Sequence, residues 1–295
     1  MPELFGVPVV VLLGQIMLGL INGSFYAVLS LGLAIIFGML NVINFAHGAL
    51  YMMGAFITWI LLSTVGINYW AALIVAPLVV GLFGVVVERL ALRHLYKVDH
   101  LYSLLFTFGL ALALEGLFRY IYGSAGKPYP VPEQLTGVFK LGFMILPIYR
   151  AWVIIAALLV CLLVWLVIEK TRLGAWLRAA TENPSLVTAF GINVPLMVTL
   201  TYGFCVGLAG FAGVLAAPIY QVSPGMGSSL IIVVFAVVVI GGLGSVGGSI
   251  LTGLSLGVIE GLTKTFYPSA STIVIFVVMA IVLIIRPAGL FGREA

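Results

Sequence analysis

The sequence predicts an all-α polytopic membrane protein, and three observations carry the prediction. Of its 295 residues, 63% are apolar and only 7% charged, against roughly 25% charge in soluble domains. No Asp, Glu, Lys or Arg occurs between Glu3 and Glu88, nor between Glu182 and Glu260. Apolar runs recur at the length of about 20 residues that a helix needs to span a bilayer, so each uncharged block holds about three crossings. A soluble enzyme, a secreted disulfide scaffold and a disordered chain are excluded together, because none can be built without a polar exterior.

About nine segments follow, near 9–38, 44–62, 69–88, 101–121, 150–168, 195–217, 228–243, 246–264 and 270–286. The whole chain, 1–295, reads as one transmembrane domain. The first segment is long and interrupted by Gln15, Asn22, Gly23 and Ser24, so its opening part is expected along the interface. The N-terminus carries Glu3 and lacks the basic start of a signal peptide, so it is expected to be retained. Cys161 and Cys205 lie in apolar runs and read as small hydrophobes.

The net charge of +4 comes from scattered basic residues and is no nucleic-acid signal. Arg89, Arg93, Lys97, Lys170, Arg172, Arg178, Arg286 and Arg293 share one side by segment parity, against Arg119, Lys127, Lys140, Arg150 and Lys264 on the other. Positive-inside bias puts the first set in the cytoplasm, hence the N-terminus outside and the C-terminus inside. The external loop 122–150 holds Pro128, Pro130, Pro132 and Pro147, which forbid a continuous helix. It reads either as a rigid outer surface or as a docking face for an external partner.

Polarity survives inside the apolar blocks at two places. Asn41, Asn44, His47 and Gly48 interrupt the first, either as a short cytoplasmic turn or as a broken helix lining a solute pathway. The run Gly241–Gly248, with Gly242, Gly244 and Ser245, interrupts the second, as close helix packing or as a turn beside the pathway. The pairs Glu115/Arg119 and Glu260/Lys264 stand at i,i+4 and are expected to neutralise one another. A pattern Glu-Gly-Leu-x-Arg/Lys-x-x-Tyr at 115–122 and 260–267 hints at an internal repeat.

The segment 169–192 is patterned beyond the needs of a re-entry loop. Up to Asn183 it reads as a short amphipathic helix, with Trp176, Ala179 and Ala180 toward a partner or the membrane. Asn183-Pro184 then starts a second short helix that Gly191 can end. Two stubby helices projecting from the membrane suit a docking role.

At these residues the chain resembles the LivH-type permease of branched-chain amino acid ABC importers. The resemblance rests on NFAHG at 44–48, on Gly174, Arg178, Ala179, Asn183, Pro184, Ala189, Gly191 and Ile192, on GGLGSVGG, and on the closing Arg286-Pro-x-Gly-Leu-Phe. It runs from about residue 10 to the tail. It implies an inverted-repeat fold, a second LivM-type permease subunit, two cytoplasmic ATPases and a periplasmic binding protein, all at a bacterial inner membrane. It also implies a coupling loop, here 174–192, to which Gly174, Arg178, Ala179, Glu182, Asn183, Ala189 and Gly191 are assigned. Asn41, Asn44, His47, Gly48, Gly242, Gly244 and Ser245 are the candidates for the solute pathway. Related permeases take urea, amides or aromatic acids as well as leucine, isoleucine and valine.

The chain has no GxxxxGK[ST] motif, so ATP and its Mg are expected on the partner ATPases and no cofactor in this chain. Arg178 and Glu182 are expected to hold the loop and meet the ATPase. An ion-coupled secondary transporter is the alternative, but the sequence offers no carboxylate cluster for a coupling ion. A channel lacks a repeated selectivity motif. An enzyme lacks HExxH, GxSxG and any constellation around His47, His94 or His100.

Overall fold

Apolar side chains on every face leave helices no amphipathic stripe to bury, so small residues and buried hydrogen bonds decide which helices meet. The computed structural model describes residues 3–4, 7–40, 42–96 and 98–292. Lys97, Arg293 and Asn41, named above, lie outside the described residues. The helices are α1 (Val9–Leu40), α2 (Ala46–Val65), α3 (Tyr69–Val87), α4 (Arg93–Leu95), α5 (His100–Tyr122) and α6 (Ile148–Lys170). Then come α7 (Arg172–Glu182), α8 (Pro184–Ala189), α9 (Val194–Ala216), α10 (Met226–Gly241), α11 (Val246–Phe266) and α12 (Ile273–Ile285). A π-helical stretch, Glu88–Leu92, joins α3 to α4. Side-chain caps open several of them: Asn68 accepts from Ala71 N, Asn193 from Leu196 N and Ser245 from Gly248 N.

All nine apolar segments are helical. Among the described residues, seven helices are long and apolar enough to cross a membrane, while α10 and α12 are shorter. In the first segment α1 runs unbroken from Val9 through the polar residues, and two of these find partners. Ser24 donates to the Leu20 carbonyl, and Asn22 accepts from Tyr220. Gly19 and Gly23 let α11 approach, and a Cβ on Gly23 would stand 3.0 Å from the Leu254 Cα.

The packing is that of an internal repeat. Helix α1 lies along α11, and α9 lies along α3 in the same antiparallel manner. Gly257 of α11 sits between Gly19 and Gly23, and Gly81 of α3 sits between Gly203 and Gly207. Likewise α2 packs on α3 and α5, as α10 packs on α11 and α12. By this correspondence α11 matches α3, so the pattern shared by 115–122 on α5 and 260–267 on α11 is not the mark of the repeat. The spacing of glycines is.

Outside the spans, β1 (Glu3–Leu4) pairs with β2 (Val7–Pro8), and β3 (Val138–Lys140) with β4 (Ile145–Pro147), both antiparallel. The second hairpin shapes the 122–150 loop, which is also tied to the α9–α10 connection by a bridge between Lys127 and Val222.

Candidate functional site

The polar interruption at 42–48 is an elbow buried within the bundle. Asn44 is wholly buried; its Nδ2 donates to the Tyr202 hydroxyl at 3.0 Å, and its Oδ1 accepts from Ala46 N at 3.1 Å. Thr107 of α5 donates to the Ile43 carbonyl and accepts from Phe45 N. Three residues of α2's approach, Ile43, Asn44 and Phe45, are thus fixed by α5 and α9. His47 is also wholly buried, and a Cβ on Gly32 of α1 would lie 3.1 Å from its ring. Gly32 stands eight residues before the end of α1, so α2 starts about 12 Å inside that end.

The first turn of α10 meets the first turn of α2 in the same interior. A Cβ on Gly48 would strike the Gly227 carbonyl, and one on Gly227 would strike that of Gly48. Only glycine at both positions allows this contact. Two helices that enter from opposite directions therefore begin against each other, as in broken-helix transport sites.

Cavities flank this pinch. One of about 340 Å³ is lined by Asn22, Phe25, Tyr26, Tyr51, Tyr220 and Ser229 among others. A second, of about 270 Å³, is lined chiefly by Phe45, Ala49, Phe108, Leu112, Ile231 and Ile232. Gly227 is in the wall of the second, and Gly48 is in contact with it. Asn44 and His47 line neither cavity; both are buried behind the wall, where Asn44 holds the elbow. A third cavity, of about 280 Å³, lies toward the start of α6 and is lined by Gln15, Asn22, Arg150, Tyr220 and Lys264. The hydrogen bond from Tyr220 to Asn22, 3.0 Å long, stands between the first and third cavities. Burial raises the Tyr220 pKa above its ordinary value, with Arg150 pulling the other way, so its hydroxyl keeps its proton and donates.

Two buried carboxylates border these elements. Glu260 accepts from the Tyr26 hydroxyl at 2.7 Å and from Lys264 Nζ at 2.6 Å. Glu88, only 1% exposed, accepts from the Thr199 hydroxyl at 2.6 Å. The pairing of Glu260 with Lys264, and of Glu115 with Arg119, was legible from spacing. Glu88 was not singled out, because in sequence it only marks where an apolar run stops. Tyr26 and Tyr51 carried no signal either, being aromatic residues in apolar blocks. Among the described residues no cluster of three or more His, Cys, Asp or Glu could hold a metal.

The opposite end of the bundle carries α7 and α8. Gly174 is pressed onto the end of α6, where a Cβ would overlap the Ile168 carbonyl. Arg178 Nη1 donates to that same carbonyl at 2.9 Å and approaches Glu169 at 3.5 Å. Gly174, Leu177 and Ala180 form the buried face of α7, while Trp176, Ala179 and Glu182 are exposed. Ala180 therefore packs inward, beside Val187 and Val194. Asn183 accepts from Leu186 N and Ser185 Oγ to start α8, Ala189 is its exposed last residue, and Gly191, at φ +83°, turns the chain toward α9. Exposed Leu173, Trp176, Leu186 and Phe190 give this end an apolar surface.

The Gly-rich run lies at this end as well. Gly242 and Gly244 take positive φ in a tight turn between α10 and α11, and Ser245 caps α11. A cleft joins the parts: Ile35 and Gly38 of α1, Ile168 of α6, Gly174 and Arg178 of α7, and Gly244 line it together. The closing segment seals the turn, with Leu290 N donating to the Ile240 carbonyl and Phe291 N to that of Gly241.

Residues 15–283 match the family described as branched-chain amino acid transport system / permease component. The chain belongs to that family. It is 32% identical to the high-affinity branched-chain amino acid transport system permease protein BraD of Pseudomonas aeruginosa, over 99% of this chain and 98% of that one. It is 28% identical to the permease protein LivH of the corresponding system in Escherichia coli K12, over 95% of this chain and 96% of that one. It is also 28% identical to the probable branched-chain amino acid transport permease protein LivH of Methanocaldococcus jannaschii, over 93% and 91%. No solved structure matches. This permease is accordingly a multi-pass membrane protein, and its kind of function is transport.

Proposed function

We propose that this chain is one permease subunit of an ATP-driven importer that moves branched-chain amino acids into the cytoplasm. It works with a second permease subunit, two cytoplasmic ATPases that carry ATP and Mg, and a periplasmic binding protein, in a bacterial inner membrane. Its own residues perform no chemistry; they form a path and convert a push into a tilt. The α7–α8 end is cytoplasmic in this reading, as is the C-terminus, and the N-terminus is outside.

The observation that carries the reading is the inner cleft. Helix α7 is locked to α6 by Gly174 and Arg178, and it faces the foot of α1 and the α10–α11 turn. A force on the exposed apolar surface of α7 and α8 is thereby delivered to the foot of α1 and to α10, whose first turn meets α2 at the Gly48/Gly227 pinch. Moving α10 against α2 relieves the contact between the two glycines and joins the cavities on its flanks. The second cavity, apolar apart from Ser228 and the Arg119-paired Glu115, suits an aliphatic side chain, and the hydroxyls and amides of the first suit a polar end. Arg178 acts here by positioning α7, while Glu182 and Trp176 face outward to meet the ATPase.

Arg178→Glu in the assembled importer tests this. Substrate-stimulated ATP hydrolysis is expected to fall toward the basal rate, with the subunits still co-purifying. Unchanged stimulation would remove the coupling role.

A further inference from the structure

We propose that the cavity at the start of α6 is an entry site for the carboxylate of the solute, with Arg150 as its anchor and the Tyr220–Asn22 bond as the latch behind it. This rests on the transport reading above. Charges are unequal in that cavity. Lys264 is neutralised by Glu260, whose other oxygen is taken by Tyr26. Arg150 lines the same cavity, and among residues 7–292 no described carboxylate lies within 4 Å of it. The site therefore has one surplus positive charge on a half-buried guanidinium, whose fork matches a carboxylate.

The latch supplies the second element. Asn22 and Tyr220 each line both this cavity and the inner one, and the bond between them closes the way through. The tyrosine donates to a neutral amide oxygen. A carboxylate is a stronger acceptor, because a hydrogen bond to an ion is about twice as strong as one between neutral groups. A solute seated on Arg150 draws the Tyr220 hydroxyl from Asn22 and opens the inner cavity, whose walls then present Tyr26, Tyr51 and Ser229. A solute of the same shape without the carboxylate has no means of doing so.

The experiment compares L-leucine with L-leucinamide on the purified permease–ATPase complex in nanodiscs, without binding protein, by saturation-transfer NMR at millimolar ligand. Leucine is expected to receive saturation and leucinamide not. Arg150→Met is expected to weaken the leucine signal about tenfold, whereas Arg150→Lys, keeping the charge, retains most of it. Tyr220→Phe, which cannot donate to either acceptor, is expected to keep leucine on Arg150 and to lose the preference for leucine in transport through the full importer. Equal signals for leucine and leucinamide, or an Arg150→Met complex that binds leucine as the parent does, would overturn the entry site. Failure of the parent importer to accumulate leucine, isoleucine or valine with ATP would instead strike the proposed substrate. The leucine–leucinamide contrast would still decide the cavity.

Discussion

The α1–α11 seam and the α9–α3 seam are built alike and finished differently. In each, a glycine of one helix rests between two glycines of the other, Gly257 between Gly19 and Gly23, Gly81 between Gly203 and Gly207. Beyond the glycines the likeness stops. The first seam ends on Glu260, shared by a tyrosine that faces one cavity and a lysine that faces another. The second ends on Glu88, closed in by a threonine. The repeat supplies a rigid frame twice, and each copy is finished with its own polar groups: tyrosine and lysine beside Glu260, and Thr199 beside Glu88 in a cavity that also holds Arg89 and Arg93.

The largest test of this comparison is steric. Gly257→Ala forces a methyl into backbone atoms of α1, whereas at Gly81 the nearest atom is the Gly203 carbonyl oxygen at 2.9 Å. Overpacking of this kind costs about 1–3 kcal/mol, and Gly257→Ala is expected at the upper end or beyond. Size-exclusion profiles after heating should lose the Gly257→Ala peak at lower temperature than the Gly81→Ala peak. The reverse order would mean that the two seams are not equivalent frames.

A middle-sized effect separates the two carboxylates. Thr199→Val removes the hydroxyl that Glu88 relies on, at a cost of roughly 1–3 kcal/mol for a buried acceptor left alone. Tyr26→Phe should cost about half as much, because Lys264 still holds Glu260. Thermal unfolding of the purified protein reads both, and equal losses would show that Lys264 adds nothing to its seam. The smallest effect is expected at the caps. Ser245→Ala at the head of α11 and Asn193→Ala at the head of α9 should each cost about 1 kcal/mol. A much larger loss at Ser245 would show that the α10–α11 turn carries more than a cap.

Much of the fold was legible because length and apolarity alone dictate spanning helices, and the nine runs became nine helices. The short helices α7 and α8 were legible for a related reason: charge, proline and glycine at fixed spacing mark short helices wherever they occur. The interior was less so. Asn44 and Thr107 have their partners on other helices, far along the chain, and nothing at 42–48 announces Tyr202. Arg178 stood out by charge, yet its use as a lock on the Ile168 carbonyl depends on a corner that only packing creates. The cavities themselves are lined by tyrosines and serines that, read one at a time, look like interface and packing residues.

The bond from Leu290 to Ile240 has a consequence for how the chain is made. Helix α10 leaves the ribosome well before the segment that satisfies its final carbonyls. Until 286–292 arrive, the α10–α11 turn has unpaired backbone oxygens next to the glycines that close the inner cleft. Insertion into the bilayer and completion of the bundle are thus separate events, and the bundle stays unlatched through the first of them.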